Sequence, residues 1–288
     1  MSDTRRIALV QQSSSPDAEL ALRRAGDAVR SAADRGADLV CLPELFRTRY
    51  FPQTQDSQNF DLAEPVPGPT TEYLQKLAAD LRVVVIAPVF ERRAAGVYHN
   101  TACVIDADGS LCGHYRKMHI PDDPLFYEKF YFAPGDTGFR SFDTAAGRVA
   151  VLICWDQWFP EAARLVALDG AEILLYPTAI GWLRDEEERE REIQRDAWVT
   201  VQRAHAIANG LFVAAVNRVG HEGDLVFWGS SFACDPYGQI LAQSPSDAED
   251  LLVVDCALPR IEQKRRDWPF LRDRRVDAYA DLLKRFRG

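Results

Sequence analysis

The sequence predicts an α/β fold in which mixed sheets are covered by helices. Short runs rich in Val, Ile and Leu recur along the chain, and helical patterns lie between many of them. Nearly continuous apolar runs are typical of strands that are covered on both faces. The turn sequences "DADGS" (106–110) and "DPYGQ" (235–239) predict hairpins, so some of the strand pairs are antiparallel.

The predicted strands are short β-rich runs, and several are almost unbroken in branched apolar residues. In chain order they span 5–11, 37–44, 82–90, 100–108, 110–117, 149–154, 171–178, 211–217, 229–235, 238–244 and 250–256. Strands of this kind must bury both faces, which indicates that helices lie on the outside of the sheets.

Four helical segments are predicted. Segments 16–36 and 160–170 each begin at a proline and stop at a glycine, which are the residues favoured at the start and just beyond the end of a helix. Segment 69–81 also begins at a proline and carries Glu72 in its first turn. Segment 185–209 is the longest and places its apolar residues at helical spacing.

Composition indicates an ordinary globular protein. Of its 288 residues, 47% are hydrophobic and 27% are charged, and no repeat, linker or shift in composition divides the chain. We therefore predict a single domain over 1–288, of which 257–288 forms a C-terminal extension. The net charge of −9 argues against nucleic acid as a partner.

No part of the sequence suggests a membrane or an oxidising compartment. The first residues lack the apolar core of a signal peptide, and no stretch approaches the roughly 20 apolar residues of a membrane span. The six cysteines are scattered without a CxxC pair, which is typical of reduced thiols. The sequence thus predicts a cytoplasmic protein without membrane partners.

Cys154 lies where an apolar run ends and a helical pattern begins, in "VAVLICWDQWFPEAAR". Such a turn projects its side chain beyond the carboxyl edge of the sheet, where open α/β folds place their sites. A helix that begins near Pro160 would direct its positive end towards the thiol and favour the thiolate. The alternative is a small buried apolar residue, which is the commoner role of a cysteine and the one we assign to the other five.

A nucleophilic thiol needs a base, and none of the five histidines stands in a recognisable Cys-His motif. Two charged residues end apolar runs instead. Glu44, in "ADLVCLPELF", is either a capping or salt-bridged residue or a base with a raised pKa. Lys117, in "GHYRKMHIPDD", is either a solvated strand end or a group that stabilises an oxyanion.

Together, "LPELF" with Glu44, "YRKMHIP" with Lys117 and "ICWDQWFPE" with Cys154 resemble the Glu-Lys-Cys triad of the nitrilase superfamily of carbon–nitrogen hydrolases. The similarity covers most of the chain, from "IALVQ" to "VVDC", with the motifs in the same order. It implies a four-layer α-β-β-α sandwich and a covalent thiol intermediate, without metal or cofactor. It also implies a second glutamate, which Glu128 in "YEKFYFAPGD" matches, although that residue alone could equally be a salt-bridge partner.

Several blocks, among them "ILLYPTAIGW" and "KRRDWPFLRDRRVDAY", resemble the branch of this superfamily that converts N-carbamoylputrescine to putrescine, carbon dioxide and ammonia. The resemblance implies a small cationic carbamoyl-amine substrate, whose distal ammonium needs carboxylates or aromatic faces. The acidic segment 185–196 offers Glu186, Glu187 and Glu188, although such a run is more often a solvated helix face. The candidate substrate-binding residues are Trp155, Tyr50, Asp122, Asp123, Tyr127 and Trp182.

Other functions stay open. A related amidase that acts on N-carbamoyl-β-alanine or N-carbamoyl amino acids would need arginine at the far end of its site, and Arg47, Arg49 and Arg184 lie near the motifs. A catalytically inactive interaction module would keep the fold, but it should show losses in the triad. A metal-thiol protein is disfavoured because no Cys/His cluster has ligand spacing.

The resemblance also bears on assembly. In this superfamily, C-terminal segments commonly pack across subunit interfaces. It therefore predicts a homo-oligomer, a dimer or larger, with 257–288 at the interface rather than bound to an anionic partner.

Overall fold

Two large sheets pack face to face at the centre of the computed structural model, which describes residues 3–287. Side chains from both sheets meet in one apolar core, such as Leu9 and Ile86 from one sheet and Val151 and Leu174 from the other. All four of these side chains are fully buried. The interior of the protein is therefore the layer between the two sheets.

Each of the eleven predicted runs overlaps a strand, and four short strands are additional. In chain order the strands are β1 (Thr4–Gln11), β2 (Leu39–Cys41), β3 (Val84–Ala94), β4 (Val97–Ile105), β5 (Leu111–Arg116), β6 (Ser141–Thr144), β7 (Gly147–Val151), β8 (Ile173–Thr178), β9 (Gly181–Leu183), β10 (Phe212–Asn217), β11 (Val219–Glu222), β12 (Leu225–Trp228), β13 (Phe232–Cys234), β14 (Ile240–Gln243) and β15 (Asp250–Ala257). The additional strands are β6, β9, β11 and β12.

The helices include the four predicted segments. They are α1 (Ala18–Asp34), α2 (Pro69–Leu81), α3 (Glu128–Tyr131), α4 (Pro160–Leu168), α5 (Glu188–Asn209) and α6 (Pro259–Asp267). Short 3-10 helices span Phe51–Gln53, Ser57–Leu62, Cys154–Trp158, Val276–Ala278 and Ala280–Leu283. Over residues 3–287, no helix combines the length and the apolar content that crossing a membrane requires.

Both large sheets are mixed. The first has the order β15-β1-β2-β3-β4-β5, and β1, β2 and β3 are parallel to one another. The second has the order β14-β13-β10-β8-β7-β6, and β10, β8 and β7 are parallel. Both predicted hairpins are confirmed, because β4 pairs antiparallel with β5 and β13 pairs antiparallel with β14.

Helices cover the outer face of each sheet. Val29 of α1 and Leu74 of α2 pack in one apolar cluster with Val40 and Val85 of the first sheet. On the other side, α4 and α5 contribute residues such as Val166 and Trp198 to the core that contains the second sheet. The layers follow the order helix, sheet, sheet, helix, so the predicted α-β-β-α sandwich is confirmed.

The sequence patterns missed a small third sheet, β11-β12-β9, in which the strands are antiparallel. Its strands have only three or four residues each; β9 and β11 contain glycine, and β12 is apolar but four residues long. Strands this short leave little periodicity to detect. The helix α6 was also missed, because it is strongly basic and buries little of its surface.

The fold brings the ends of several strands to one edge. Strands β2 and β5 run in the same direction, since β3 is parallel to β2 and β4 is antiparallel to both β3 and β5. Glu44 follows β2 and Lys117 follows β5 directly. Cys154 follows β7 of the facing sheet. Glu44, Lys117 and Cys154 thus all follow the carboxyl ends of these strands.

Candidate active site

Glu44 is fully buried in the loop that follows β2. The next residue, Leu45, has a positive φ of 49°, a conformation that is uncommon for a non-glycine residue. The buried guanidinium of Arg218 holds this loop, because its Nη2 donates hydrogen bonds to the carbonyl oxygens of Glu44 and Leu45 at 2.9 and 2.8 Å. Arg218 is in turn paired with the carboxylate of Glu222 at 2.8 Å.

Lys117 lies between two carboxylates. Its Nζ is 2.8 Å from Glu44 Oε1 and 2.6 Å from Glu128 Oε2, and all three side chains are fully buried. Burial by itself lowers the pKa of Lys117, but the negative charges of Glu128 and Glu44 outweigh burial and leave its pKa above the ordinary value. Lys117 is therefore a permanent cation in this site.

The two oxygens of Glu44 have different environments. Oε1 accepts hydrogen bonds from Lys117 Nζ at 2.8 Å and from Asn100 Nδ2 at 2.6 Å. Oε2 is buried and has no hydrogen-bond partner within the described residues. A buried carboxylate oxygen without a partner is costly, so this atom is available to accept a proton from another group.

Glu128 opens the short helix α3 and is fully buried. Tyr50 donates its hydroxyl proton to Glu128 Oε1 at 2.7 Å, and Lys117 occupies the other oxygen. Burial raises the pKa of Glu128 to about 7, with Lys117 opposing and Glu44 reinforcing the shift. Glu128 therefore changes its charge near neutral pH, and it does so in direct contact with Lys117.

Cys154 begins the 3-10 helix that follows β7, with a positive φ of 43° and 5% of its surface exposed. Its Sγ lies 3.9 Å from the carbonyl oxygen of Ala179. Burial and the charge of Glu44 raise the pKa of the thiol well above its ordinary value, although Lys117 opposes the shift. The expectation that a helix near Pro160 favours the thiolate is wrong, because burial and the Glu44 carboxylate dominate and α4 begins six residues later.

Asp156 connects the loop of Cys154 to the loop of Lys117, and the sequence analysis missed it. Its fully buried carboxylate accepts hydrogen bonds from Ile153 N at 2.9 Å and Tyr115 Oη at 2.8 Å. The other oxygen lies 3.0 Å from His119 N and 2.7 Å from His119 Nδ1. The available signal was an aspartate among aromatic residues in "CWDQW", where an unpaired charge would be costly.

A cavity of about 540 Å³ opens in front of Cys154. Trp155, Trp158 and Phe159, which follow the thiol in sequence, all line it, and Phe159 also stacks on His119 with ring centroids 3.7 Å apart. The wall of the cavity is mostly apolar. Besides these residues it contains Pro121, Asp123, Pro124, Phe126, Glu128, Cys154, Ala179, Ile180, Gly181, Leu183, Glu186, Ile193, Gln194, Ala197 and Trp228.

The six candidate substrate-binding residues lie at different positions relative to the cavity. Trp155 and Asp123 line the cavity. Tyr50 lies behind it, where it is bonded to Glu128. Trp182 is part of the second layer of the wall, since its indole packs against Trp228, which lines the cavity. The remaining two, Asp122 and Tyr127, are not among the lining residues.

Basic side chains do not line this cavity in the part of the chain that the structure describes. Arg47 pairs with Glu64 and Glu19 instead, at 2.9 and 2.7 Å. Arg184 is exposed and donates to a backbone carbonyl, and Arg49 is also exposed. None of the three arginines considered for an anionic substrate therefore lines the cavity.

Comparison with known proteins identifies the family of this chain. The family model described as carbon-nitrogen hydrolase matches residues 6–266. The chain is 42% identical to a protein named N-carbamoylputrescine amidase from Solanum lycopersicum, over 96% of this chain and 94% of that protein. It is also 40% identical to a protein named citrullinase from Francisella tularensis, over 98% of this chain and 99% of that protein.

A solved structure has the same fold. The crystal structure of a carbon-nitrogen hydrolase from Helicobacter pylori superimposes with a TM-score of 0.96 and 45% identity, and it covers 99% of this chain and 100% of that one. A TM-score this high over nearly the whole length of both chains shows that the two proteins share their overall fold. On its sequence and on its structure, this chain belongs to the carbon–nitrogen hydrolases of the nitrilase superfamily.

Proposed function

We propose that this protein hydrolyses the ureido group of N-carbamoylputrescine and releases putrescine, carbon dioxide and ammonia. The observation that carries the proposal is the buried group of Cys154, Glu44 and Lys117 at one end of a cavity that has carboxylates but no basic side chain in its described lining. The likeness to an N-carbamoylputrescine amidase at 42% identity supports the same reaction.

The first step is attack by the thiol. Because its pKa is raised, Cys154 rests as a protonated thiol. As its Sγ attacks the ureido carbon, the proton passes to the unpaired Oε2 of Glu44, which serves as general base. The carbonyl oxygen becomes an oxyanion, and the Lys117 ammonium together with the backbone N–H of Trp155 stabilises it.

The tetrahedral intermediate then collapses. The bond from carbon to the terminal nitrogen breaks, Glu44 returns the proton to that nitrogen, and ammonia leaves. The product on the enzyme is a thioester in which Cys154 Sγ carries the carbamoyl group of the amine. A ureido carbon is a poor electrophile because both nitrogens donate electrons to it, so two smaller steps are easier than one direct attack by water.

Hydrolysis completes the cycle. Glu44 takes a proton from water as the oxygen attacks the thioester carbon, and the carbon–sulfur bond breaks with return of the proton to Cys154. The released carbamic acid decomposes to carbon dioxide and putrescine. In this scheme Glu128 orients Lys117, since the two are 2.6 Å apart and Tyr50 fixes the other oxygen of the carboxylate.

The hydrolysis of citrulline is a second candidate, because the chain is 40% identical to a citrullinase. Citrulline carries the same ureido group and an ammonium at the same distance along its chain, and it differs by one carboxylate. The absence of arginine and lysine from the described lining favours the substrate without it.

The test is ammonia release by the purified protein with N-carbamoylputrescine, citrulline and N-carbamoyl-β-alanine, beside a Cys154→Ala control. We expect the highest kcat/KM for N-carbamoylputrescine and loss of activity in the control by more than about 10³-fold. A higher kcat/KM for citrulline would make citrulline hydrolysis the better supported function. A preference for N-carbamoyl-β-alanine would overturn the cationic substrate, and activity with none of the three would favour a non-catalytic protein.

A further inference from the structure

Glu186 occupies a position that its neighbours in the acidic segment do not. The side chains of Arg184, Asp185 and Glu187 are exposed, whereas Glu186 is half-buried and lines the cavity in front of Cys154. The segment is therefore not uniformly a solvated face. One of its carboxylates is turned towards the site.

Glu186 is held in place by neutral donors. One carboxylate oxygen accepts the backbone N–H of Leu183 at 3.2 Å, and the other contacts the side-chain amide of Gln194 on α5. Both Leu183 and Gln194 also line the cavity. This arrangement fixes the direction of the carboxylate without neutralising its charge.

No cation balances that charge within residues 3–287, where no lysine, arginine or histidine nitrogen lies within 4 Å of Glu186. Two arginines of the same region, Arg191 and Arg195, lie over the ring of Trp182 instead. A half-buried carboxylate gains from a cationic partner, and a substrate ammonium in the cavity would supply one.

The other carboxylates of the cavity suit this role less well. Glu128 is already paired with Lys117 at 2.6 Å and hydrogen-bonded to Tyr50. Asp123 is exposed, so water screens its charge. The same cavity is lined by apolar side chains, such as Trp158 and Ile193, that suit an alkyl chain.

We infer that Glu186, oriented by Leu183 N–H and Gln194, binds the distal ammonium of the substrate and so selects ω-ureido amines over neutral and anionic ureas. The inference rests on the proposed function and names the group that sets its specificity. It holds for N-carbamoylputrescine and for citrulline, because both place an ammonium four carbons from the ureido nitrogen.

The experiment compares N-carbamoylputrescine with N-butylurea, which has the same chain without the ammonium. We expect Glu186→Gln to lower kcat/KM for N-carbamoylputrescine by roughly 10- to 100-fold, the loss typical of a charge-assisted contact. Turnover of N-butylurea should change by less than about twofold, which also shows that the variant is folded. Glu186→Asp, which keeps the charge, should retain more activity than Glu186→Gln.

Two matched variants complete the design. Glu187→Gln removes an exposed carboxylate one residue away and should leave both substrates unchanged, while Asp123→Asn tests the rival carboxylate. Calorimetric binding of N-carbamoylputrescine to Cys154→Ala, with and without Glu186→Gln, measures the same contact without turnover. An unchanged Kd for N-carbamoylputrescine on Glu186→Gln would overturn the inference. An equal loss of kcat/KM with N-butylurea would overturn it as well.

The two proposals fail in different ways. If the wild-type protein prefers N-butylurea or N-carbamoyl-β-alanine to N-carbamoylputrescine, the proposed function is wrong. If the wild-type protein prefers the cationic substrate and Glu186→Gln keeps that preference, or if Asp123→Asn abolishes it instead, only the role of Glu186 is wrong.

Discussion

The buried charges of the site are balanced by one another rather than by water. Lys117 meets two carboxylates, Glu44 and Glu128, and none of the three side chains is exposed. Removing one member of such a group leaves a buried charge without a partner, which typically costs about 3–5 kcal/mol. Each of the three buried side chains is therefore stable in its charged form only while the others are present.

Glu128 gives this set a measurable pH dependence. Its pKa of about 7 in the folded protein lies above the ordinary 4.5, so the folded state binds more protons than the unfolded state between these values. The stabilisation linked to this carboxyl group is complete below pH 4.5 and is lost as the pH rises through about 7.

We therefore predict that Glu128→Gln, which cannot ionise, shows a flatter dependence of stability on pH. The Tm of the variant relative to the wild type should rise between pH 5 and pH 8, as measured by thermal unfolding in buffers of equal ionic strength. Parallel Tm profiles for the two proteins would contradict the raised pKa. The exposed neighbour Lys129, changed to Gln, is the control and should leave the profile parallel.

At the scale of elements, the site depends on how loops from two facing sheets are joined. Asp156 follows β7 and receives hydrogen bonds from Tyr115 and His119, which belong to β5 and to the loop beyond it. It also accepts the N–H of Ile153, the residue before Cys154. Lys117 and Cys154 thus keep their relative positions through one buried carboxylate.

Asp156→Asn should disturb this junction, because an amide group has one acceptor oxygen where the carboxylate has two. Its NH2 group would face donors, and each buried donor left unpaired costs about 1–3 kcal/mol. We expect a lower Tm and a kcat reduced by roughly 10- to 100-fold, with a smaller change in KM. Steady-state kinetics and thermal unfolding measure both, and Asp185→Asn on the exposed surface is the control. Wild-type kcat and Tm in Asp156→Asn would show that the junction is unimportant.

At the scale of the whole molecule, the C-terminal segment leaves apolar side chains uncovered. The exposed fraction is 94% for Leu283, 84% for Phe286 and 65% for Leu282. Exposed apolar groups concentrated in one segment are typical of surfaces that bind another chain. This observation adds to the prediction, from the resemblance, that 257–288 lies at a subunit interface.

We therefore expect the protein to form a dimer or a larger homo-oligomer. Light scattering after size-exclusion chromatography should give a mass of at least twice the 32.4 kDa of one chain. Replacing Leu283 and Phe286 together by glutamate should shift the protein to smaller species, while Leu20→Glu on α1 should not. A monomeric wild type at micromolar concentration would contradict this prediction.

The sequence by itself predicted the fold class, and its resemblance to the nitrilase superfamily pointed to Glu44, Lys117 and Cys154 as the site. Apolar runs fix the strands, because a strand that is buried on both faces must be apolar throughout, and prolines and glycines mark the limits of helices such as α4. A charged residue that ends an apolar run, as Glu44 and Lys117 do, is visible without coordinates. The third sheet was not visible, since its strands are too short to show a period.

Only the tertiary structure decided how these residues interact. The pKa of the Cys154 thiol depends on burial and on Glu44, a residue 110 positions earlier, and local sequence suggested the opposite shift. Likewise, Glu186 and Glu187 are equivalent in the acidic segment, but only Glu186 lines the cavity. Electrostatic energy depends on distance through space and on exclusion of water, and neither quantity is a property of neighbouring positions in the chain.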